Sequence, residues 1–246
     1  MAGHSKWANI QHRKNRQDAR RGKTFGKLIK EITVAARMGG AEIGSNPRLR
    51  LAIDKAKVAN LPKDKVSDAI KRGTGQLDGV NYEEVRYEGY APGGVALIVD
   101  CVTDNKKRTV SEVRHAFSKN GGNLGSDGSV SFLFKHCCQF IVESGVDEDE
   151  ILDIALEAGA DDVIFIENGP VEVLGEPKNF STIHEKLVSS KLNLLFAEVT
   201  MRAKTVIKLE PTQSKKVQKL IDEIDAIEDV QSVFFNSDTV EQTEEL

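Results

Sequence analysis

The chain has 246 residues, 39% hydrophobic and 29% charged, with a formal net charge of -4, an ordinary soluble composition. No apolar run approaches the roughly 20 residues of a membrane helix, and the polar N-terminus carries no secretory apolar region. Three cysteines, Cys101, Cys137 and Cys138, make no disulfide framework. A reduced, cytoplasmic protein without a membrane partner is expected.

The charge is divided by position. Residues 1–76 hold 18 Lys and Arg against 6 Asp and Glu, a net of +12, and the remainder is net -16. Such asymmetry points to a polyanionic partner for the basic end. Between Lys6 and Lys30 there are nine basic residues and one acid, Asp18. The spacing predicts a helix over about 7–38, with Gly22 and Gly26 as points where it can kink. Phe25, Leu28, Ile29, Ile32 and Ala36 form its apolar stripe, and Arg13, Arg16, Arg20, Lys23, Lys27 and Lys30 fall in the opposite sector. Residues 11–24 lack an apolar stripe and are expected to project as an arm. Gly39 and Gly40 end the helix.

A second helix starts at Pro47, capped by Ser45 or Asn46, with Leu49, Ala52, Ile53 and Ala56 inward. A third begins near Pro62, turns Val66, Ala69 and Ile70 inward and stops at Gly73. Residues 73–79 read as a linker. Strands follow at 82–90 and 93–103. A helix over 108–122 opens on a capping box of Thr109 and Glu112. Strands are predicted at 129–135, 138–144, 161–167, 170–176, 194–200, 204–210 and 229–235. Helices are predicted at 147–159, 178–190 and from Pro211 onward. The acidic tail, 238–246, is expected to be disordered.

The order over 138–200 is β-α-β-β-α-β, a ferredoxin-like unit. Removing it leaves two β-α-β halves with the order of a second such unit. The expected fold is therefore α+β and multidomain: an N-terminal all-helical domain (1–76), one ferredoxin-like α/β domain (80–136 plus 202–237), and another inserted into it (137–201).

Motifs with chemical meaning are few. "RRGKT" (20–24) lacks the earlier Gly of a phosphate-binding loop. "GGNLGSDGS" (121–129) suits either an anion cradle or a turn, and the turn is preferred. "HCC" (136–138) does not supply a tetrahedral metal site, and "DEDE" (147–150) fits a helix N-terminus. Ser126 and Asp127 have no His at a suggestive spacing. No catalytic constellation, metal site or cofactor is expected, and the chain is read as not an enzyme. "DNKKRT" (104–109) sets Lys106, Lys107 and Arg108 before a helix, a place for phosphate as much as for a solvated loop.

For the N-terminal cations, like charges at i,i+4 destabilise a helix unless a polyanion neutralises them. His4, Trp7, Asn9, Gln11, His12 and Asn15 add groups suited to stacking and hydrogen bonding with bases. The expected nucleic-acid-binding residues are Lys6, Trp7, His12, Arg13, Lys14, Arg16, Arg20, Arg21, Lys23, Lys27, Lys30, Lys106, Lys107 and Arg108.

Three stretches are distinctive together: "MAGHSKWANIQHRKNRQDARRGKTFGKLIKEI" at the start, "GSNPRLRLAIDKAKVANLPKDKVSDAIKRGTG" (44–75), and "TDNKKRTVSEVRHAFSKNGGNLG" (103–125) followed by "GSVSFLF" (128–134). They resemble the YebC/PmpR family, which includes a mitochondrial translational activator, over essentially the whole chain. The motif begins at Ala2, as in a bacterial cytosolic member. The resemblance implies a helical domain and two α/β domains, one inserted in the other. It also implies a regulator of gene expression without an enzymatic reaction. Members are described as DNA-binding transcriptional regulators, and others as translation factors at the ribosome. DNA and ribosomal RNA both stand as targets. A small-molecule sensor or enzyme on the α/β domains is the remote alternative.

Overall fold

The apolar stripe that begins at Phe25 forms the inner face of a continuous helix, α1 (Arg21–Gly39). The computed structural model of the protein describes residues 21–167 and 169–237. The helix passes Gly22 and Gly26 without interruption and ends where Gly40 adopts a positive φ of 82°. Asn46 caps α2 (Pro47–Val58), its Oδ1 accepting from the Leu49 amide at 3.0 Å. The same side chain donates to the carbonyls of Ala35 and Gly40 at 2.8 and 2.9 Å, so one buried residue both starts α2 and ties it to the end of α1. α3 (Lys63–Gly73) completes the bundle. The core between the helices is rich in alanine: Ala35, Ala36, Ala52, Ala56 and Ala69 surround Ile32, Leu49 and Ile53. Small side chains let the axes approach closely. At Gly73 an added Cβ would collide with the Thr33 carbonyl, so that glycine marks a helix contact as well as a helix end.

Residues 21–131 with 208–237 form one compact unit, and residues 132–207 form another. In the first, β1 (Glu83–Tyr90) and β2 (Ala96–Thr103) pair antiparallel along their whole length, joined by Gly93 and Gly94, both at positive φ. α4 (Lys106–Lys119) leads to the two-residue β3 (Asn123–Leu124). After the other unit, α7 (Pro211–Asp225) and β8 (Val230–Phe235) complete the layer, and the sheet order is β3-β1-β2-β8. Leu97, Val99 and Cys101 of β2 pack against Val113 and Phe117 of α4 and Val217, Leu220 and Ile224 of α7.

The second unit runs β4 (Phe134–Val142), α5 (Glu148–Glu157), β5 (Asp162–Phe165), β6 (Val171–Gly175), α6 (Phe180–Ser189) and β7 (Leu194–Ala203). Its sheet order is β5-β6-β4-β7, with every neighbour antiparallel. This is the β-α-β-β-α-β order of the ferredoxin-like arrangement. Phe140 on β4 stacks on Phe180 of α6 at 5.1 Å between centroids, with Ile151, Ile183 and Leu187 buried around them.

The two sheets have the same spatial plan, β8-β2-β1-β3 matching β7-β4-β6-β5, with two helices each. They differ in connection. The strand expected at 204–210 does not form beyond an isolated bridge at Ile207. Its slot is taken by β1, the leading strand, which pairs with both β2 and β3. The strands expected at 129–135 and 138–144 are instead a 3-10 turn, Ser131–Leu133, and one nine-residue strand, β4. The expected capping box of α4 also fails. Asn105 is the N-cap, accepting from the Arg108 amide at 3.1 Å, and Thr109 is buried inside the first turn. The tail 238–246 lies outside the described residues.

Candidate nucleic-acid interface

The face of α1 opposite its apolar stripe meets acids of the same chain. Lys27 Nζ lies 2.9 Å from Asp225 Oδ1 at the end of α7. One turn on, Lys30 Nζ lies 2.8 Å from Asp229 Oδ1 and 3.3 Å from the Glu228 carbonyl, with the Tyr82 ring 5.7 Å away. The expectation of a phosphate-facing Lys30 meets a residue only 6% exposed.

Asp229 is the centre of this arrangement. Its second oxygen accepts from Arg108 at 2.7 Å, from the Thr109 hydroxyl at 2.8 Å and from the Thr103 hydroxyl at 3.0 Å. Burial by itself raises the pKa of this carboxyl. The hydrogen bonds from Lys30, Arg108, Thr109 and Thr103 outweigh burial and hold it well below the usual carboxylate range. Further ties lie beside it. Arg48 bridges Glu31 at 2.8 Å and Glu84 at 2.6 Å, joining α1, α2 and β1. Arg37 donates to the Tyr82 carbonyl at 2.6 Å. The bundle is thus fastened to the outer sheet and its helices by cations of residues 1–76 on acids and carbonyls of the later chain.

The other expected contact residues separate by place. Lys6, Trp7, His12, Arg13, Lys14, Arg16 and Arg20 lie outside the described residues. Arg21 and Lys23 stand in the first turn of α1. In the first turn of α4, Lys106 pairs with Glu83, Arg108 bridges Asp104 and Asp229 at 2.7 Å each, and Lys107 is exposed. The cap from Asn105 already occupies one amide of this helix end, and Lys107 is the one of these three exposed cations without an ion pair among the described residues. Sequence reasoning missed Asp225, Asp229, Thr103 and Thr109. One signal was present: Asp222, Glu223 and Asp225 crowd the last turns of α7, against the helix dipole, and such acids call for cations from elsewhere.

The glycine-rich stretch is settled by a side chain of its own unit. Glu88 is 5% exposed and accepts from the amides of Gly128, Val130 and Ser131 at 3.0, 2.7 and 2.8 Å. Burial raises its pKa, and those three amides together with the Ser131 hydroxyl outweigh it and lower the pKa. Within the 121–129 stretch Glu88 thus engages the Gly128 amide, and its other two donors follow directly after that stretch. Replacing Glu88 with Gln removes the charge from three hydrogen bonds and costs about 1–2 kcal/mol. Urea unfolding of the full chain measures this, and an unmoved midpoint contradicts the clamp.

Cys137 and Cys138 are adjacent on β4, so they face opposite sides of the sheet. Both are fully buried and free, and burial raises both thiols, Cys138 to about 11. Among the described residues no group of three or more His, Cys, Asp or Glu is placed to hold a metal ion. No helix among them is long and apolar enough to cross a membrane.

Comparison with known proteins covers nearly the whole chain. The family model described as "TACO1/YebC protein N-terminal domain" matches residues 5–76, and "TACO1/YebC second and third domain" matches 82–237. A "probable transcriptional regulatory protein" of Polynucleobacter asymbioticus is 59% identical over 96% of this chain and 99% of its own length. A protein of the same description from Azoarcus sp. is 58% identical over 95% of this chain and 97% of its own. The crystal structure of a conserved hypothetical protein from Aquifex aeolicus superposes with a TM-score of 0.79. It is 42% identical and covers 94% of this chain and 95% of its own.

Proposed function

This chain belongs to the TACO1/YebC family, and from that premise we propose that it is a nucleic-acid-binding regulator of gene expression, acting in the cytoplasm as a DNA-binding regulator of transcription. The observation that carries the reading is the excess of positive charge in the sequence from Lys6 into the first turns of α1. Nine cations face one acid between Lys6 and Lys30, in a chain that is acidic overall. Lys27 and Lys30 are held by acids of their own chain, which leaves the contact to residues 6–23. Their cations neutralise phosphates and release counterions, and Trp7 and His12 stack on bases. Lys107, with Lys106 beside it, is a second point of contact. Binding and positioning are the activity, with no chemical step, metal or cofactor. The names of the relatives as transcriptional regulators support DNA as the target.

One observation favours a second reading, a ribosome-associated factor that binds ribosomal RNA and relieves stalling. On α3, the helix that follows the tight turn of the bundle, Lys63 and Lys65 alternate with Asp64 and Asp68. That helix is of mixed charge and does not choose between targets, whereas the mostly cationic sequence of the first residues, with Trp7, suits contact by phosphate and shape at least as well as reading of base edges. Sedimentation of a lysate containing the tagged chain separates the readings. Protein at the top of the gradient, with a sequence-dependent footprint on DNA, is the result expected of a transcriptional regulator. Co-migration with ribosomal particles, lost on deleting residues 1–24, replaces it with the ribosomal reading.

A further inference from the structure

On the outer sheet, α4 carries an excess of positive charge and α7 a positive first half with its acids gathered at the end, although both lie in the acidic part of the chain. α4 has Lys106, Lys107, Arg108, Arg114 and Lys119 against one acid, Glu112. α7 has Lys215, Lys216 and Lys219 in its first nine residues, and its acids follow them. Neither helix has an acid in its first turn. Cations early and acids late oppose the helix dipole, and a helix arranged for its own stability reverses that order. The late acids of α7 have tasks. Asp225 holds Lys27, and Glu223 accepts from Lys119 at 3.1 Å and from Asn120 at 2.9 Å. The early lysines are less engaged: Lys215, Lys216 and Lys219 are exposed, and among the described residues no acid forms an ion pair with them, although Lys219 acts on the charge of Glu223 one turn on.

Their placement makes one surface. Lys216, Lys219 and Glu223 recur at helical spacing on one side of α7. The bond from Lys119 to Glu223 sets that side next to the end of α4. His115, one turn before Lys119, is exposed on the same side of α4. Arg114, also exposed, lies seven residues after Lys107 on the outward row of that helix. Lys215 and Lys219 stand at i,i+4, a repulsion that an isolated helix does not favour and that a polyanion relieves.

We propose that the α4–α7 face, built on Arg114, His115, Lys215, Lys216 and Lys219, is a second docking surface for the phosphate backbone of a nucleic acid. It rests on the nucleic-acid reading of the chain and extends it to the outer α/β unit, where charge complementarity selects a dense line of phosphates. Lys107 joins this surface to the first turn of α4.

The test is a salt titration of binding by the full chain and by a Lys215→Ala, Lys216→Ala, Lys219→Ala variant, with an RNA hairpin and a DNA duplex of equal phosphate number. Alanine at exposed helix positions keeps the helix, and an unchanged melting curve accompanies the comparison. The expected result is a log–log salt slope shallower by about 2 units and affinity lower by about tenfold at low salt, for at least one polymer. Wild-type protein that binds while the variant keeps its slope overturns the surface alone. Wild-type protein that binds neither polymer overturns the nucleic-acid reading together with it. Polyglutamate of matched charge bound as tightly as either polymer overturns nucleic acid as the occupant.

Discussion

Replacing Asp229 with Ala lowers the stability of the protein by about 3–5 kcal/mol, the usual cost of stripping one partner from a buried ion pair. The size follows from what is left behind. Lys30 keeps an ammonium that is almost fully enclosed, and the hydroxyls of Thr103 and Thr109 lose their acceptor. Lys30→Ala costs less, because Asp229 retains Arg108 and both threonines. Denaturation of the full chain reads both changes. A pH dependence belongs to the same pair. The folded pKa of Asp229 lies below its unfolded value of about 3.9. Its stabilisation is therefore fully present above that unfolded value and fades as pH falls toward the depressed folded one. The Asp229→Ala protein loses less stability than the wild type across that acid range. A variant as stable as the wild type at neutral pH contradicts the account of this cluster.

The second large effect is on binding. Changing Arg13, Arg16, Arg20 and Lys23 to Ala makes the salt slope shallower by about 3 units and lowers affinity at low salt by about two orders of magnitude, since each lost phosphate contact removes nearly one unit of slope. Stability stays as it was. Lys27→Ala and Lys30→Ala behave in the opposite way, with stability reduced and the slope nearly unchanged. The two groups stand at the same 3- and 4-residue spacing, so only their surroundings separate them. Equal effects of both groups on binding would remove the distinction between cations for a partner and cations for the fold.

Much of the fold was legible from periodicity. α2, α5, α6 and α7 carry apolar residues at helical spacing, with Asn46 and Asp147 as caps where the pattern begins. The inserted unit was legible from element order. Its β4 was not, because "FKHCCQFIV" is largely buried on both faces and offers no alternation to fix its ends. The stretch 204–210 alternates as a strand does, yet strand formation needs an open edge, and β1 already holds that place between β2 and β3. The capping box at Thr109 was displaced by Asn105, whose side chain closes on the Arg108 amide, while Thr109 serves Asp229.

The site was legible as charge and not as contact. Helical spacing assigned Lys27 and Lys30 to a polar face. It had no means of placing Asp225 and Asp229 against them from 198 and 199 residues later. Glu88 reaches Gly128, at the end of the glycine-rich stretch, in the same way, from 40 residues upstream. In both places a carboxylate of the protein occupies what local sequence presents as a phosphate position. The exposed lysines of α7, Lys215, Lys216 and Lys219, have no such carboxylate in an ion pair with them among the described residues.

The most direct test of the central claim is the affinity of the full chain for an RNA hairpin and for a DNA duplex, measured across a range of salt concentrations. A log–log slope of at least several units is expected, steep enough to lower affinity about a thousandfold between low and physiological salt, with a much shallower slope without residues 1–24. Affinity that does not change with salt, or a slope unchanged by that deletion, contradicts it.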